Sequence, residues 1–442
     1  MDILFSDVTV ITMIDEKQGG LASPVLLHGY VGIDGQKISY VGEKPPAEKA
    51  SRVISGSRRL LMPGLINSHS HLPMAILRGY ASDYRLHEWL FDHIFPMENK
   101  FDERCVAAGV RLGLAECIRF GIISCTDMYF HLPQIAEAVL ETGIKANITN
   151  ALLCLNMPSF DFEKDKGTIE VRKVLADYKG RGDGRLIVNA GIHAEYTSGP
   201  VAWKESVAFA TDNNLCFHIH LSETEFEHTE CLKKYGKTPA EILYENGVFS
   251  RKITAAHCCW LTENDMDILA ANKATVAHCP VSNLKLSSGI APVMLMRSHG
   301  LNVALGTDGV SSNNNQDMFE EIKIAALLQK NACKDPSVLP AYDAIKMATV
   351  NGAIGQNREN ETGRIAPGYD ADLIMLNLDA PHLFPLNDPL AAVAYAARGS
   401  DVCMTMVQGR ILWENGELKT IDMEKVRYEV ENYVLPRLKL SQ

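Results

Sequence analysis

The amino-acid sequence predicts an α/β fold: a (β/α)8 barrel with a small β domain assembled from both ends of the chain. Three observations carry this expectation. Eight strand-like runs end on polar residues, at His71, Thr126-Asp127, Asn150, His193, His220, His257, His278 and Asp308. Helical patterns lie between them. Both chain ends are strand-rich and differ in texture from the middle. Regular strand–helix alternation implies a parallel barrel, and its strand C-termini form one rim where polar endings would gather.

At the N-terminus, Ile3-Leu4-Phe5, Val8-Thr9-Val10-Ile11 and Lys37-Ile38-Ser39-Tyr40-Val41 read as short strands separated by Gly, Pro and Asp turn signals. Leu60-Leu61-Met62-Pro63-Gly64-Leu65-Ile66 leads into the first barrel strand. Over residues 101–120, Val106, Val110, Leu114 and Ile118 recur every four residues and Gly121 stops the helix. Thr262-Glu263-Asn264-Asp265 resembles a capping box ahead of Met266 and Leu269. Gly363-Arg364-Ile365-Ala366-Pro367-Gly368 marks the return to the small domain. That domain continues with Ala371-Asp372-Leu373-Ile374-Met375-Leu376 and Val402-Cys403-Met404-Thr405-Met406-Val407. The expected division is residues 63–364 for the barrel, and residues 1–62 with 365–442 for the composite β domain.

Composition narrows the function classes. The chain has 442 residues, 46% hydrophobic and 22% charged, as in an ordinary globular protein. A net charge of −11 argues against a nucleic-acid or anionic-membrane surface. No run approaches the ~18–20 apolar residues of a membrane span. Met1-Asp2-Ile3-Leu4-Phe5-Ser6-Asp7 lacks the basic start of a secretory signal. Eleven scattered cysteines with no Cys-x-x-Cys fit reduced thiols and a cytoplasmic protein. Barrels of this size often self-associate, but no segment marks an interface.

The chemistry lies at the strand ends. In His69-Ser70-His71 the two imidazoles, two residues apart, leave one face of a strand. The fifth run, Leu215-Cys216-Phe217-His218-Ile219-His220-Leu221-Ser222-Glu223, offers two histidines on one face. Alternation cannot separate His218 from His220, and His220 is preferred because it is nearer the strand end. His257 closes the sixth strand and Asp308 the eighth. Taken singly, Asp308-Gly309 reads as a turn, Glu223 as a loop residue and each histidine as structural. Taken together, His69, His71, His220 and Asp308 on one rim suit a single divalent ion with an open coordination position. Such an ion lowers the pKa of a water from ~15.7 to about 7. Glu223 and His257 remain for proton transfer and polarisation.

These motifs, with Pro63-Gly64-Leu65-Ile66-Asn67-Ser68 ahead of His69 and Gly306-Thr307-Asp308-Gly309, resemble the amidohydrolase superfamily over essentially the whole chain. The resemblance implies a distorted (β/α)8 barrel and a β-sandwich-like terminal domain. Within that superfamily the chain is most similar to the 5-methylthioadenosine/S-adenosylhomocysteine deaminases. The similarity is carried by Leu77-Arg78-Gly79-Tyr80-Ala81-Ser82-Asp83, His87-Glu88-Trp89-Leu90, Phe95-Pro96-Met97-Glu98 and Thr307-Asp308-Gly309-Val310-Ser311-Ser312-Asn313-Asn314. It implies that His69, His71, His220 and Asp308 bind zinc, with iron or manganese as substitutes. It also implies that Glu223 moves protons and contacts the purine, Glu98 takes the ribose hydroxyls, His193 contacts substrate and Trp89 packs on it. The physics agrees: a carboxylate accepts two hydrogen bonds from adjacent hydroxyls, and an indole face suits a purine or thioether.

The implied reaction is hydrolytic deamination of an adenine nucleoside: 5′-methylthioadenosine, 5′-deoxyadenosine, adenosine or S-adenosylhomocysteine. No bridging lysine stands in Asn189-Ala190-Gly191-Ile192-His193, which favours one metal ion over two. There is one departure. Members of the family that accept S-adenosylhomocysteine carry arginines after strand three. Here Asn156-Met157-Pro158-Ser159-Phe160-Asp161-Phe162-Glu163-Lys164-Asp165-Lys166-Gly167 has none before Arg172, which favours a neutral 5′ substituent. The same metal motifs would also serve a guanine or 8-oxoguanine deaminase or an s-triazine chlorohydrolase. A non-catalytic binding protein on the same barrel is the reading from another class, and it sits poorly with retention of every expected ligand.

Overall fold

The structure, a computed structural model, describes residues 1–14, 24–155, 159–178 and 180–440. In chain order the strands are β1 Ile3–Ile11, β2 Val25–Asp34, β3 Lys37–Gly42, β4 Arg52–Ser55, β5 Arg59–Pro63, β6 Leu65–Ser70, β7 Ile122–Tyr129, β8 Lys145–Asn150 and β9 Leu186–Val188. There follow β10 Ala190–Gly191, β11 Phe217–Leu221, β12 Ile253–His257, β13 Thr275–His278, β14 Asn302–Leu305, β15 Leu373–Asn377, β16 Val402–Val407, β17 Arg410–Glu414 and β18 Glu417–Leu418.

Both ends of the chain enter one nine-stranded sheet, ordered β18-β17-β16-β15-β5-β1-β2-β3 with β4 also paired to β1. β5 joins the two ends, pairing antiparallel with β15 and parallel with β1. The two short N-terminal runs read from the sequence are one strand. Asp7 has φ +55, and the register against β2 shifts between Ser6 and Val8, so a bulge interrupts the alternation that would mark a continuous strand. The core of this sheet includes Phe5, Val8, Val10, Val31, Ile33, Leu61, Leu373, Met404 and Met406.

The middle of the chain forms a four-stranded sheet, β6-β7-β8-β9, and a five-stranded one, β10-β11-β12-β13-β14. Every pairing in the second is parallel. Residues of β6, β7, β8, β11 and β12 are all buried, as expected of strands covered on both faces. The fourth expected strand is broken at Asn189. Its first half pairs with β8 and its second with β11, and the second half ends at Gly191 rather than His193. Among the described residues no ladder joins β6 to β14. Their ends are linked instead by a hydrogen bond from the Asp308 N–H to the His69 carbonyl, 3.0 Å.

Between the strands the expected helices form. Glu103–Arg119 occupies the four-residue apolar repeat, and Gly121 follows it at φ +83. Thr262 and Asp265 make a reciprocal capping box on Glu263–Ala271. Contacts divide the chain into two compact units. One comprises Met1–Asn67, Ala115–Ser124 and Asp317–Thr420; the other comprises Ser68–Leu114, Cys125–Gln316 and Ile421–Gln442. The second holds every candidate site residue. No helix among the described residues is long and apolar enough to cross a membrane.

Candidate metal and substrate site

Local backbone geometry aims the site residues. Ser222, His257 and Asp308, all at strand ends, have φ of +46, +69 and +62. Such left-handed positions cost of order 1–3 kcal/mol for non-glycine residues and cluster at functional sites. They turn the chain sharply out of β11, β12 and β14. At Gly306 the backbone passes so close to β6 that a Cβ there would lie 2.8–3.0 Å from the backbone and Cβ of His69. Glycine at this position lets the backbone after β14 approach His69 on β6 this closely.

The result is a tight polar cluster. Asp308 Oδ1 lies 3.4 Å from His69 Nε2 and 3.2 Å from His71 Nε2. His220 Nε2 lies 3.3 Å from His71 Nε2. Candidate ligand atoms form two overlapping groups, His69-His71-Asp308 and His69-His220-His257, each with all atoms within 4.8 Å of one another. Two of the rings are held from behind by backbone carbonyls: His71 Nδ1 donates to Met128 O at 2.6 Å, and His220 Nδ1 to His193 O at 2.7 Å. That points both Nε2 atoms into the cluster, where a neutral ring presents a lone pair, as metal-ligating imidazoles require. Packed nitrogen lone pairs and a carboxylate oxygen repel one another unless a cation or protons sit among them, so the donor set fits a divalent ion of the borderline N/O-binding class.

Burial sets the protonation states. It pulls His69 down to about 4 and His220 well below its ordinary value. It also works against a charged His71, but the hydrogen bond and charge of Asp308 outweigh it and hold that ring up at about 9. Asp308 is pushed up by burial and, more strongly, held down by His69 and His71, so it stays ionised. Its other oxygen accepts from Ser282 Oγ at 2.6 Å and Ser312 Oγ at 2.8 Å.

The cleft above this cluster is lined by His71, Trp89, Glu98, His193, His220, Glu223, His257 and Asp308 among others. His69 is fully buried beneath it. Every residue singled out from the sequence therefore lies in or under one cleft. Glu223 Oε1 accepts from Ser288 Oγ at 2.9 Å, while Oε2 sits 3.7 Å from His257 Nε2. Burial raises the Glu223 pKa. His257 Nδ1 meets Asn283 Oδ1 at 2.8 Å, and His193 Nδ1 meets Thr197 Oγ1 at 2.9 Å. Glu98 takes a hydrogen bond from the Tyr129 hydroxyl at 2.6 Å, and burial pushes its pKa up to about 7. Trp89 is 7% exposed.

Several supporting groups were not anticipated. Glu227 accepts from the backbone N–H of Ser222 at 3.0 Å and of Glu223 at 2.7 Å, clamping the turn that carries Glu223. Ser282, Asn283, Ser288 and Tyr129 each hold one site residue. The only hint of any of them in the sequence was the Glu223-Thr224-Glu225-Phe226-Glu227 spacing, in which Thr224 caps a helix and Glu227 is its third residue. In the arginine-poor segment, residues 156–158 lie outside the described residues. Lys164 pairs with Asp161 at 2.8 Å and Lys166 with Glu170 at 3.9 Å, both lysines largely exposed.

Comparison with known proteins places these features. The amidohydrolase family model matches residues 60–412. A 5-methylthioadenosine/S-adenosylhomocysteine deaminase of Thermoanaerobacter pseudethanolicus is 40% identical over 431 residues, covering 98% of each chain. A 5′-deoxyadenosine deaminase of Methanothermobacter thermautotrophicus is 42% identical over 399 residues, covering 90% of this chain and 92% of its own. Among solved structures, a zinc-bound adenosine deaminase from Xanthomonas campestris superposes with a TM-score of 0.90 at 29% identity, covering 99% of this chain and 98% of its own. A family match over most of the chain, full-length relatives at about 40% identity and a cluster of histidines and an aspartate at the strand ends lead to one conclusion: this protein belongs to the amidohydrolase family.

Proposed function

We propose that this protein is a hydrolase that deaminates adenine nucleosides, releasing ammonia and the 6-oxopurine nucleoside. The observation that carries the reading is a buried, ionised Asp308 flanked by His69, His71 and His220, facing across one cleft a buried Glu223 whose pKa is raised. The deaminase names of the full-length relatives and the adenosine deaminase neighbour support it. The proposed scaffold is a closed, distorted barrel over residues 63–364, with residues 1–62 and 365–442 as a sandwich-like domain.

His69, His71, His220 and Asp308 are the residues that would hold one divalent ion, with zinc favoured by the imidazole-rich set. When bound, that ion supplies Lewis acidity that makes a water acidic enough to attack near neutral pH. Asp308 takes a proton from the attacking water, its carboxylate fixed by Ser282 and Ser312. Glu223, whose pKa burial raises, delivers a proton to N1 of the purine as the water oxygen bonds to C6. His257, oriented by Asn283, stabilises the charge that develops at the tetrahedral carbon. The amino group then takes the proton held by Asp308, the C6 hydroxyl gives its proton back to Glu223, and the C6–N bond breaks to release ammonia, leaving the 6-oxopurine and both carboxyl groups in their starting states. Glu98 orients the ribose diol, while His193 and Trp89 position the nucleoside.

The test is ammonia release by zinc-loaded protein from 5′-methylthioadenosine, S-adenosylhomocysteine, 5′-deoxyadenosine, adenosine, guanine and 8-oxoguanine. Turnover of adenine nucleosides is expected, with the neutral 5′ substituents preferred. Metal-loaded protein inert towards every nucleoside would overturn the reading and redirect it to free bases and triazines.

A further inference from the structure

His218 lies on β11 two residues before His220 and faces the same way, but deeper in the sheet. It is fully buried. Its Nε2 lies 2.8 Å from His69 Nδ1, with the two rings 14° from parallel at 5.1 Å between centroids. Between two imidazole nitrogens at that distance, one carries the proton and the other accepts it.

The other two imidazoles proposed to hold the ion are supported differently. His71 and His220 rest on backbone carbonyls, which only accept, so their Nδ1 atoms must donate. The His69 support is a side chain that can take either role. If His218 donated, His69 would carry its own proton on Nε2, pointing at Asp308, and that nitrogen could not be a ligand. If His218 accepts, its proton sits on Nδ1, a buried atom with no hydrogen-bond partner among the described residues.

We propose that His218 is a positioning residue that holds His69 in the Nδ1–H form and so frees His69 Nε2 for a divalent cation. The proposal rests on the metal-site reading above. Among the three imidazoles proposed to hold the ion, it makes His69 the one supported by a side chain rather than by a backbone carbonyl.

Zinc affinity is measured by chelator competition for the parent, His218→Gln and His218→Phe. Circular dichroism and thermal melting of the metal-free proteins monitor folding. A glutamine oxygen still accepts from His69 Nδ1, and a phenyl ring fills the space without accepting. His218→Phe is expected to bind zinc ~10–100-fold more weakly, the usual effect of losing such a support, and His218→Gln to recover most of the loss. Parent-like affinity in His218→Phe, or equal loss in both variants, would overturn the proposal while leaving the metal site intact. A parent that binds no zinc would overturn both. Histidine nitrogen NMR of the zinc-loaded parent provides a check that needs no variant: a proton on His69 Nδ1 supports the proposal, and a proton on His69 Nε2 refutes it.

Discussion

Replacing Glu227 with glutamine isolates the clamp that aims Glu223. The carboxylate of Glu227 accepts two backbone N–H groups, from Ser222 at 3.0 Å and Glu223 at 2.7 Å, and holds Ser222 at φ +46. Burial and the nearby Glu195 and Glu223 push its pKa up to about 8, against the two N–H bonds that favour the ionised form. Glutamine is nearly isosteric but has one acceptor oxygen. Its NH2 would face the second N–H, donor against donor. A buried donor left unsatisfied costs about 1–3 kcal/mol. The strained turn then has less holding it, and relaxation by even a fraction of its strain would swing Glu223 away from the position proposed for the purine N1. If about 2–3 kcal/mol of that loss falls on the transition state, kcat drops roughly 30–150-fold, since 1.36 kcal/mol is tenfold. The ground-state contacts proposed for Glu98 and Trp89 are untouched, so KM should change little. The assay is ammonia release across a substrate range, with metal content measured on the same sample. A kcat within twofold of the parent would refute the clamp. A collapse of metal content would show that Glu227 supports the ligands instead.

Glu223→Gln should keep its metal and its fold but lose at least ~10²-fold in kcat, the scale of a missing general acid; full turnover would remove Glu223 from the mechanism. Glu98 must be ionised to accept both ribose hydroxyls, and its pKa is raised to about 7 by burial, so nucleoside affinity should be full above that pH and weaken as pH falls through it. The predicted signature is a KM that rises below about pH 7, and Glu98→Gln should abolish that pH dependence. Gly306→Ala puts a methyl group 2.8–3.0 Å from His69 backbone and Cβ atoms, so denaturant titration should show a loss of about 1–3 kcal/mol, accompanied by weaker zinc binding. Unchanged stability would mean the first and last strands are free to separate.

Much of the site was legible because ligand geometry follows strand periodicity. His69 and His71 share a face by simple alternation, and His257 and Asp308 close apolar runs that can only be strands. The supports were not legible for a related reason. Asn283 reaches His257 across 26 residues, Ser288 reaches Glu223 across 65, and His218 reaches His69 across 149. No local pattern encodes such contacts, and a serine or asparagine in a loop looks the same whether it braces a catalytic group or faces water. Strand breaks were hidden too: the bulge at Asp7 splits one strand into two apparent runs, while the interruption at Asn189 leaves an apolar run that reads as unbroken.

The sequence by itself determined the alternating strand–helix order, the shared sheet built from both chain ends, and most of the imidazoles and carboxylates that stand at or just past strand ends, His193 lying two residues beyond its strand. These follow from hydrophobic period and turn chemistry, which act over a few residues. The tertiary structure alone decided that Asp308 stays ionised between His69 and His71, that Glu223 and Glu98 have raised pKa values, and that Glu227 locks the turn at Ser222. Those properties depend on desolvation and on the charges and hydrogen-bond partners within a few ångströms, and only the folded chain brings them together.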